Sequence, residues 1–257
     1  MRGCPRSSSK VDVIIFPLLH LGSTGPAIQN WQRFLNDVMQ ERLSIDGAFG
    51  PKTDCATRMW QLANALQVDG VVGPRSRAAA MRRGYIPFFP AKNFTATTGR
   101  TIDLIVIHDM EYPETPSGAE WCAGYFAGAS APRASAHYCL DNDSIIQCVS
   151  DSDVAWHAPG ANNNGISIEH AGYAKQSRDE WLDDYSRAEL ALSARLAARL
   201  CGRYGIPLQW QDASALRKRG ARGITGHRDV SLAFGGTHTD PGPNFPIDFY
   251  LALVGAS

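Results

Sequence analysis

TIDLIVIH, residues 101–108, is the stretch whose reading decides the fold. Ile102, Leu104, Ile105, Val106 and Ile107 form a short apolar run without polar alternation, the pattern of a strand buried on both faces. It ends on an ionisable side chain, His108. A second short strand, GISIEH at 165–170, ends in the same way on Glu169 and His170. Between them, SAHYCLD and SIIQCVS flank Asn142-Asp143, the signature of a hairpin. RDEWLDDYSRAELALSARLAARLCGRYG, 178–205, reads as a long helix with Leu190, Ala194, Ala197 and Leu200 on its apolar side, stopped at Gly205-Ile206-Pro207. PIDFYLALV closes the chain as a short helix. Strands alternating with helices define an α/β (α+β) domain over 100–257, a central mixed β-sheet flanked by helices.

Upstream the periodicity is helical. Gly25-Pro26 opens a segment with Ile28, Trp31, Leu35 and Val38 on one side. Asp46-Gly47 and Gly50-Pro51 precede a second helix, with Ala56, Met59, Trp60, Ala63 and Leu66 as its apolar face. Asp69-Gly70 and Gly73-Pro74 repeat the device before a third, so DGAFGPKT and DGVVGPRS form an internal near-repeat. Residues 13–84 therefore read as a small all-α three-helix domain. Residues 85–99, YIPFFPAKNFTATTG, lack any period and read as a linker lying partly on a surface.

Composition narrows the function classes. With 44% hydrophobic and 19% charged residues, the 257-residue chain is an ordinary globular one rather than a disordered or fibrous one. The net charge is zero, although the first 99 residues carry 12 basic against 6 acidic side chains. No basic run with interleaved aromatics points to nucleic acid. No segment is apolar over the length of a membrane span. The six cysteines include no CxxC pair, which excludes a zinc-finger pattern; Cys139 and Cys148 are placed to face each other across the hairpin, and reduced, buried thiols are expected. Arg2, Arg6 and Lys10 precede the apolar VDVIIFPLLHL, but Asp12 and Pro17 interrupt it. It reads as domain rather than as a signal peptide, and the protein is expected in the cytoplasm of its producer.

The candidate chemistry is scattered along the second domain. His108 ends a strand, WHAPG carries Trp156 and His157, Glu169 lies in a strand, GITGHRDV carries His227, and THTDPG carries His238 and Asp240. A lone histidine is ordinarily just a hydrogen-bonded residue. Together, histidines and carboxylates on rigid backbone suit zinc, which in catalytic sites takes three protein ligands and keeps one position open. His238 and Asp240, two apart in an extended segment, point the same way. Zinc chemistry alone accepts either as a ligand.

IVIHD, SAHYCLDNDSIIQCV, VAWHAPG, NGISIEHAG, GHRDV and HTDPGPNF, in that order, make the region of about residues 100–250 resemble a type 2 N-acetylmuramoyl-L-alanine amidase, a fold shared with peptidoglycan recognition proteins. LGSTGPAIQNWQRFLN, DGAFGPKT and DGVVGPRS make the first unit resemble a peptidoglycan-binding-1 domain. The resemblance implies one zinc ion per chain, held by His108, His227 and Asp240, with His238 left as a donor to the oxyanion. It implies that Glu169 activates water and that Trp156, His157 and Asn164 face the substrate, while a place behind a ligand side chain or packing beside Trp156 stays open for His157. His137 and His170 are expected to be structural, and Asp109 and Asp229 to be solvated loop carboxylates rather than partners of ligand histidines. The implied reaction is hydrolysis of the amide between the muramoyl lactyl group and L-alanine, with bacterial peptidoglycan as partner, no membrane insertion and a monomeric state. The layout is similar to that of phage endolysins, which reach the wall after a holin opens the membrane. A non-catalytic recognition protein and a stem-peptide endopeptidase are the alternatives on the same fold.

Overall fold

The computed structural model describes residues 16–257. The first residues of the apolar N-terminal run, the domain start at 13 and Cys4 lie outside the described residues.

Three helices come first: α1 (Pro26–Met39), α2 (Pro51–Ala63) and α3 (Pro74–Met81). Each starts with Pro in its first turn after a glycine N-cap, where the missing N–H costs nothing because no helical acceptor exists for it. The near-repeat has a structural counterpart. Gln32 Nε2 donates to Asp46 Oδ1 and the Ala48 carbonyl, while its Oε1 accepts from Gly47 N. Gln61 Nε2 donates to Asp69 Oδ1 and the Val71 carbonyl, while its Oε1 accepts from Gly70 N. Each Asp-Gly turn is thus clamped by a buried glutamine from the preceding helix. The core is aromatic: Trp31 packs on Phe34, Trp60 and Tyr85 at ring-centroid distances of 5.1, 5.3 and 5.2 Å. Such pairs contribute about 0.5–1.5 kcal/mol each beyond their burial. The expected face of α2 needs two corrections. Met59, at 51%, and Ala63 are exposed, and Gln61 is buried instead, because the clamp draws the Gln61 edge inward.

Residues 85–99 do not form a free linker. Tyr85 is buried in the helical core, and Phe88 and Ala91 are buried further on. Phe89 N and Ala91 N donate to the carbonyls of Gln147 and Cys148, and Gln147 N donates to the Pro87 carbonyl. β1 (Phe94–Thr95) then pairs antiparallel with β5 (Val154–Ala155). The aperiodic sequence hid a strap hydrogen-bonded along a sheet edge.

The main sheet has five strands in the order β4-β3-β6-β2-β7. They are β2 (Leu104–Asp109), β3 (Tyr138–Leu140), β4 (Ile145–Gln147), β6 (Gly165–His170) and β7 (Gly223–Gly226). β2 runs parallel to β6 and β7, β3 runs parallel to β6, and only β3–β4 is antiparallel. One face carries Ile105, Ile107, Ile166, Ile168 and Leu140 against α5 (Asp184–Tyr204) and α8 (Ile247–Gly255). α5 is capped by Asp183, whose side chain accepts from Ser186 N, and ends at Gly205 in the left-handed region, φ 64°. Leu190, Ala194, Ala197 and Leu200 are all buried, as their spacing required. The other face is covered by α4 (Gly118–Ala127), by α7 (His227–Phe234) and by loops. Cys139 and Cys148 are buried free thiols with sulfurs 3.7 Å apart. Among the described residues, no helix is long and apolar enough to cross a membrane. α6 is a single turn, Ala213–Leu216.

Candidate active site

Strand register assembles the site. His108 lies opposite Glu169, and Glu169 opposite Cys139, so the three form one row across β2, β6 and β3 on the face away from α5. β7 ends beside Ile107, which brings His227, the first residue of α7, next to His108. Asp240 arrives from the far end of the chain. Its loop can approach only because two positions lack a Cβ. A Cβ on Gly226 would lie 2.8 Å from Pro241 Cδ, and one on Gly242, at φ +95°, would lie 2.0 Å from the Ala174 carbonyl oxygen.

The result is a compact donor set. His108, His227 and Asp240 are all buried, and each brings a donor atom within 4.8 Å of the others. Asp240 Oδ2 lies 2.9 Å from His108 Nδ1 and 3.1 Å from His227 Nδ1. Burial alone would raise the Asp240 pKa, but hydrogen bonds from His108, His227 and His238 outweigh it and hold the carboxylate ionised, well below its usual range. Burial pushes His227 down to about 4, so its ring is a neutral ligand-competent imidazole. Two imidazoles and one carboxylate converging on one point match the nitrogen and oxygen donors that zinc takes. Among the described residues no other group of this kind occurs.

Glu169 Oε1 stands 4.0 Å from His108 Nδ1. Burial, then the charges of Asp240 and Asp109, raise its pKa well above the ordinary carboxylate range, which favours proton uptake. His238 is the exposed member, with 61% of its side chain accessible. Its ring stacks on His227 at 4.0 Å, and hydrogen bonding to Asp240 raises its pKa. His157 Nδ1 lies 3.1 Å from His108 Nε2, the nitrogen turned away from Asp240. Its own Nε2 is buried without a partner. Trp156 donates from Nε1 to Thr95 Oγ1.

The structure does not bring Asn164 to this cluster. Its Nδ2 donates to Asp103 Oδ2, and its carbonyl accepts from Leu104 N, at the opposite end of β2 from His108. Five residues of strand separate it from Glu169, about 16 Å at the usual rise. The two carboxylates expected to be solvated are not. Asp109, the last residue of β2, is buried on the α5 side, where burial and neighbouring acids push its pKa up to about 8. Asp229 Oδ2 accepts from Trp210 Nε1. Neither bonds a histidine of the cluster. His137 and His170 are fully buried: His137 is bonded to Ser167 and faces the Asp153 carbonyl, and His170 faces Ser193 and the His108 carbonyl. Of the places the sequence left open for His157, the structure supplies the contact with His108. It joins residues far apart in the chain, and only the loop after β5 brings them together.

Residues 98–243, more than half of the chain, match the family model for N-acetylmuramoyl-L-alanine amidase, and residues 24–79 match that for a peptidoglycan binding domain. The chain belongs to the N-acetylmuramoyl-L-alanine amidase family: it is an amidase whose substrate is peptidoglycan, preceded by a unit similar to peptidoglycan binding domains. Among curated proteins it is similar to N-acetylmuramoyl-L-alanine amidase A of Achromobacter lyticus, 29% identical over 64% of this chain and 89% of that protein. Solved structures with partial likeness include the hydrolase AmiA of Staphylococcus aureus in complex with its ligand, with 18% identity, a TM-score of 0.47, and coverage of 77% of this chain and 88% of that one. A mutant endolysin from Bacillus subtilis has 17% identity, a TM-score of 0.44, and coverage of 66% and 99%.

Proposed function

We propose that this amidase is zinc-dependent and cleaves the bond between the lactyl group of N-acetylmuramic acid and the L-alanine of the stem peptide. The observation that carries the reading is the buried His108–His227–Asp240 donor set with Glu169 beside it. When bound, zinc supplies Lewis acidity to the site. Glu169 takes a proton from the attacking water as its oxygen bonds to the carbonyl carbon, and passes that proton to the departing L-alanine nitrogen as the C–N bond breaks. His238, exposed and 3.6 Å from Asp240 Oδ1, donates to the carbonyl oxygen as charge builds there. His157 fixes the His108 ring from behind by accepting from its far nitrogen. Trp156 is left as the aromatic neighbour of the substrate groove.

Domain division at about residues 84 and 100 is part of the same reading, supported by separate apolar clusters for the helical and sheet units. All donors come from one chain, which supports a monomer as the working unit. A wall-binding unit joined to a wall-cutting unit supports a lytic role of the phage-endolysin kind.

The test is mass spectrometry of products from purified peptidoglycan, with the native chain beside Glu169→Ala. Intact stem peptides with a free L-alanine amino terminus, absent with the variant, are expected. Peptides cut internally would replace this reading with an endopeptidase, and no products from a zinc-loaded protein would leave a recognition protein.

A further inference from the structure

A cavity of about 540 Å³ opens where α1 meets the sheet unit. Its walls come from α1, the Arg83–Ile86 turn, the start of β2, the Ser150–Ser152 loop and the end of α5. Its Ile102 and Tyr138 wall packs with α5 on one face of the sheet, whereas His108 and Glu169 project from the other face. The two places are therefore on opposite faces of the sheet.

The lining is markedly basic. Arg33, Arg83, Arg100, Arg199 and Arg203 contribute to it, against the carboxylates of Asp37 and Asp151. Asp151 is already engaged: it accepts from Tyr138 Oη at 2.7 Å, Tyr204 Oη at 2.9 Å and Arg203 Nη1 at 3.1 Å. Arg100 is bound to the carbonyls of Asp151 and Asn162, and Arg33 to Asn30 Oδ1. Arg83 and Arg199 are exposed, and among the described residues neither guanidinium has a hydrogen bond or ion pair. Two uncommitted guanidiniums thus face one cavity of the size that small ligands occupy. Guanidinium forks bind carboxylates in pairs of charge-assisted hydrogen bonds. Asp37, exposed on the same wall, offers a partner to an ammonium group and opposes a uniform polyanion such as a phosphodiester chain.

We propose that this cleft is a second binding site, for the zwitterionic stem peptide of peptidoglycan, with Arg83 and Arg199 holding its carboxylates. The proposal rests on peptidoglycan being the polymer the enzyme acts on. A peptide held here while another is cut on the other face of the sheet would raise the enzyme's local concentration on the wall.

The experiment uses the full chain and the double variant Arg83→Gln/Arg199→Gln. Co-sedimentation with purified peptidoglycan is read beside calorimetric binding of a synthetic stem peptide and turnover of a soluble muramoyl peptide. Loss of two charge-assisted contacts should weaken both binding readouts about ten-fold or more, with turnover unchanged. Arg82→Gln/Arg219→Gln, which removes the same charge from exposed positions outside the cavity, should bind like the native chain. Unchanged binding in the first variant, equal loss in the second, or displacement by inorganic phosphate as effective as by peptide would overturn the proposal. Arginine-dependent binding without any turnover would support the cleft and overturn the amidase reading alone.

Discussion

His238 Nδ1 lies 3.6 Å from Asp240 Oδ1, while the other oxygen of the same carboxylate faces His108 and His227 at 2.9 and 3.1 Å. One carboxylate thus joins a buried pair of imidazoles to an exposed third. Asp240→Ala is expected to lose bound zinc, read by elemental analysis, and with it all hydrolysis. His238→Ala is expected to retain one zinc per chain and to lose about 10²–10³ in turnover, the usual cost of a missing oxyanion donor. Zinc loss in His238→Ala would make His238 a ligand.

His157 touches His108 from behind, packs edge-on against the His137 ring at 5.9 Å, and leaves its Nε2 without a hydrogen bond. If it orients the His108 ring, His157→Gln should weaken zinc about 10–100-fold in a chelator competition while leaving KM for soluble substrate close to native. A raised KM with unchanged zinc affinity would return it to the substrate-facing role that the sequence suggested.

His137 sets an acid limit on stability. Burial, reinforced by the Arg100 charge, pushes its pKa down to about 3 in the folded chain. An unfolded histidine takes up its proton near pH 6.5, about 3.5 units earlier. The contribution of this neutral ring is therefore complete above that pH and is lost as pH falls towards 3, with a slope approaching about 1.4 kcal/mol per pH unit. Urea midpoints measured from pH 7 to 4 should fall less steeply in His137→Gln than in the native chain. Parallel slopes would show that other groups dominate.

Gln61 satisfies two backbone amides and a carbonyl of the Asp69–Val71 turn inside the helical unit. Gln61→Ala strands those groups, at about 1–3 kcal/mol. Hydrogen exchange should accelerate across α2 and α3 before it does in the sheet. Uniform acceleration through both units would instead mark them as one cooperative block.

Much of this was legible in the sequence. The run before His108 read as a strand buried on both faces, and Glu169 as a carboxylate on a nearby strand; the structure makes the two direct neighbours. Gly-Pro pairs announced all three early helices. Other features were not legible, for identifiable reasons. Asn164 directly precedes the GISIEH strand, and sequence does not say which end of a strand faces a site. Asp109 follows a ligand candidate and resembled a loop residue, but alternation along β2 turns it to the covered face. Residues 85–91 lack periodicity because their pairing with the β4 edge comes from backbone amides, which any side chain supplies.

That pairing has a further consequence. The strap closes the outer edge of β4, and residues 209–211, bonded to Ile224, close the outer edge of β7. Neither margin of the sheet therefore offers a free row of amides to another chain. A shortened amidase beginning at residue 100 would keep every member of the donor set and uncover the β4 margin. Its difficulty would be self-association through that bare edge rather than lost chemistry, so a soluble catalytic fragment should begin before Tyr85.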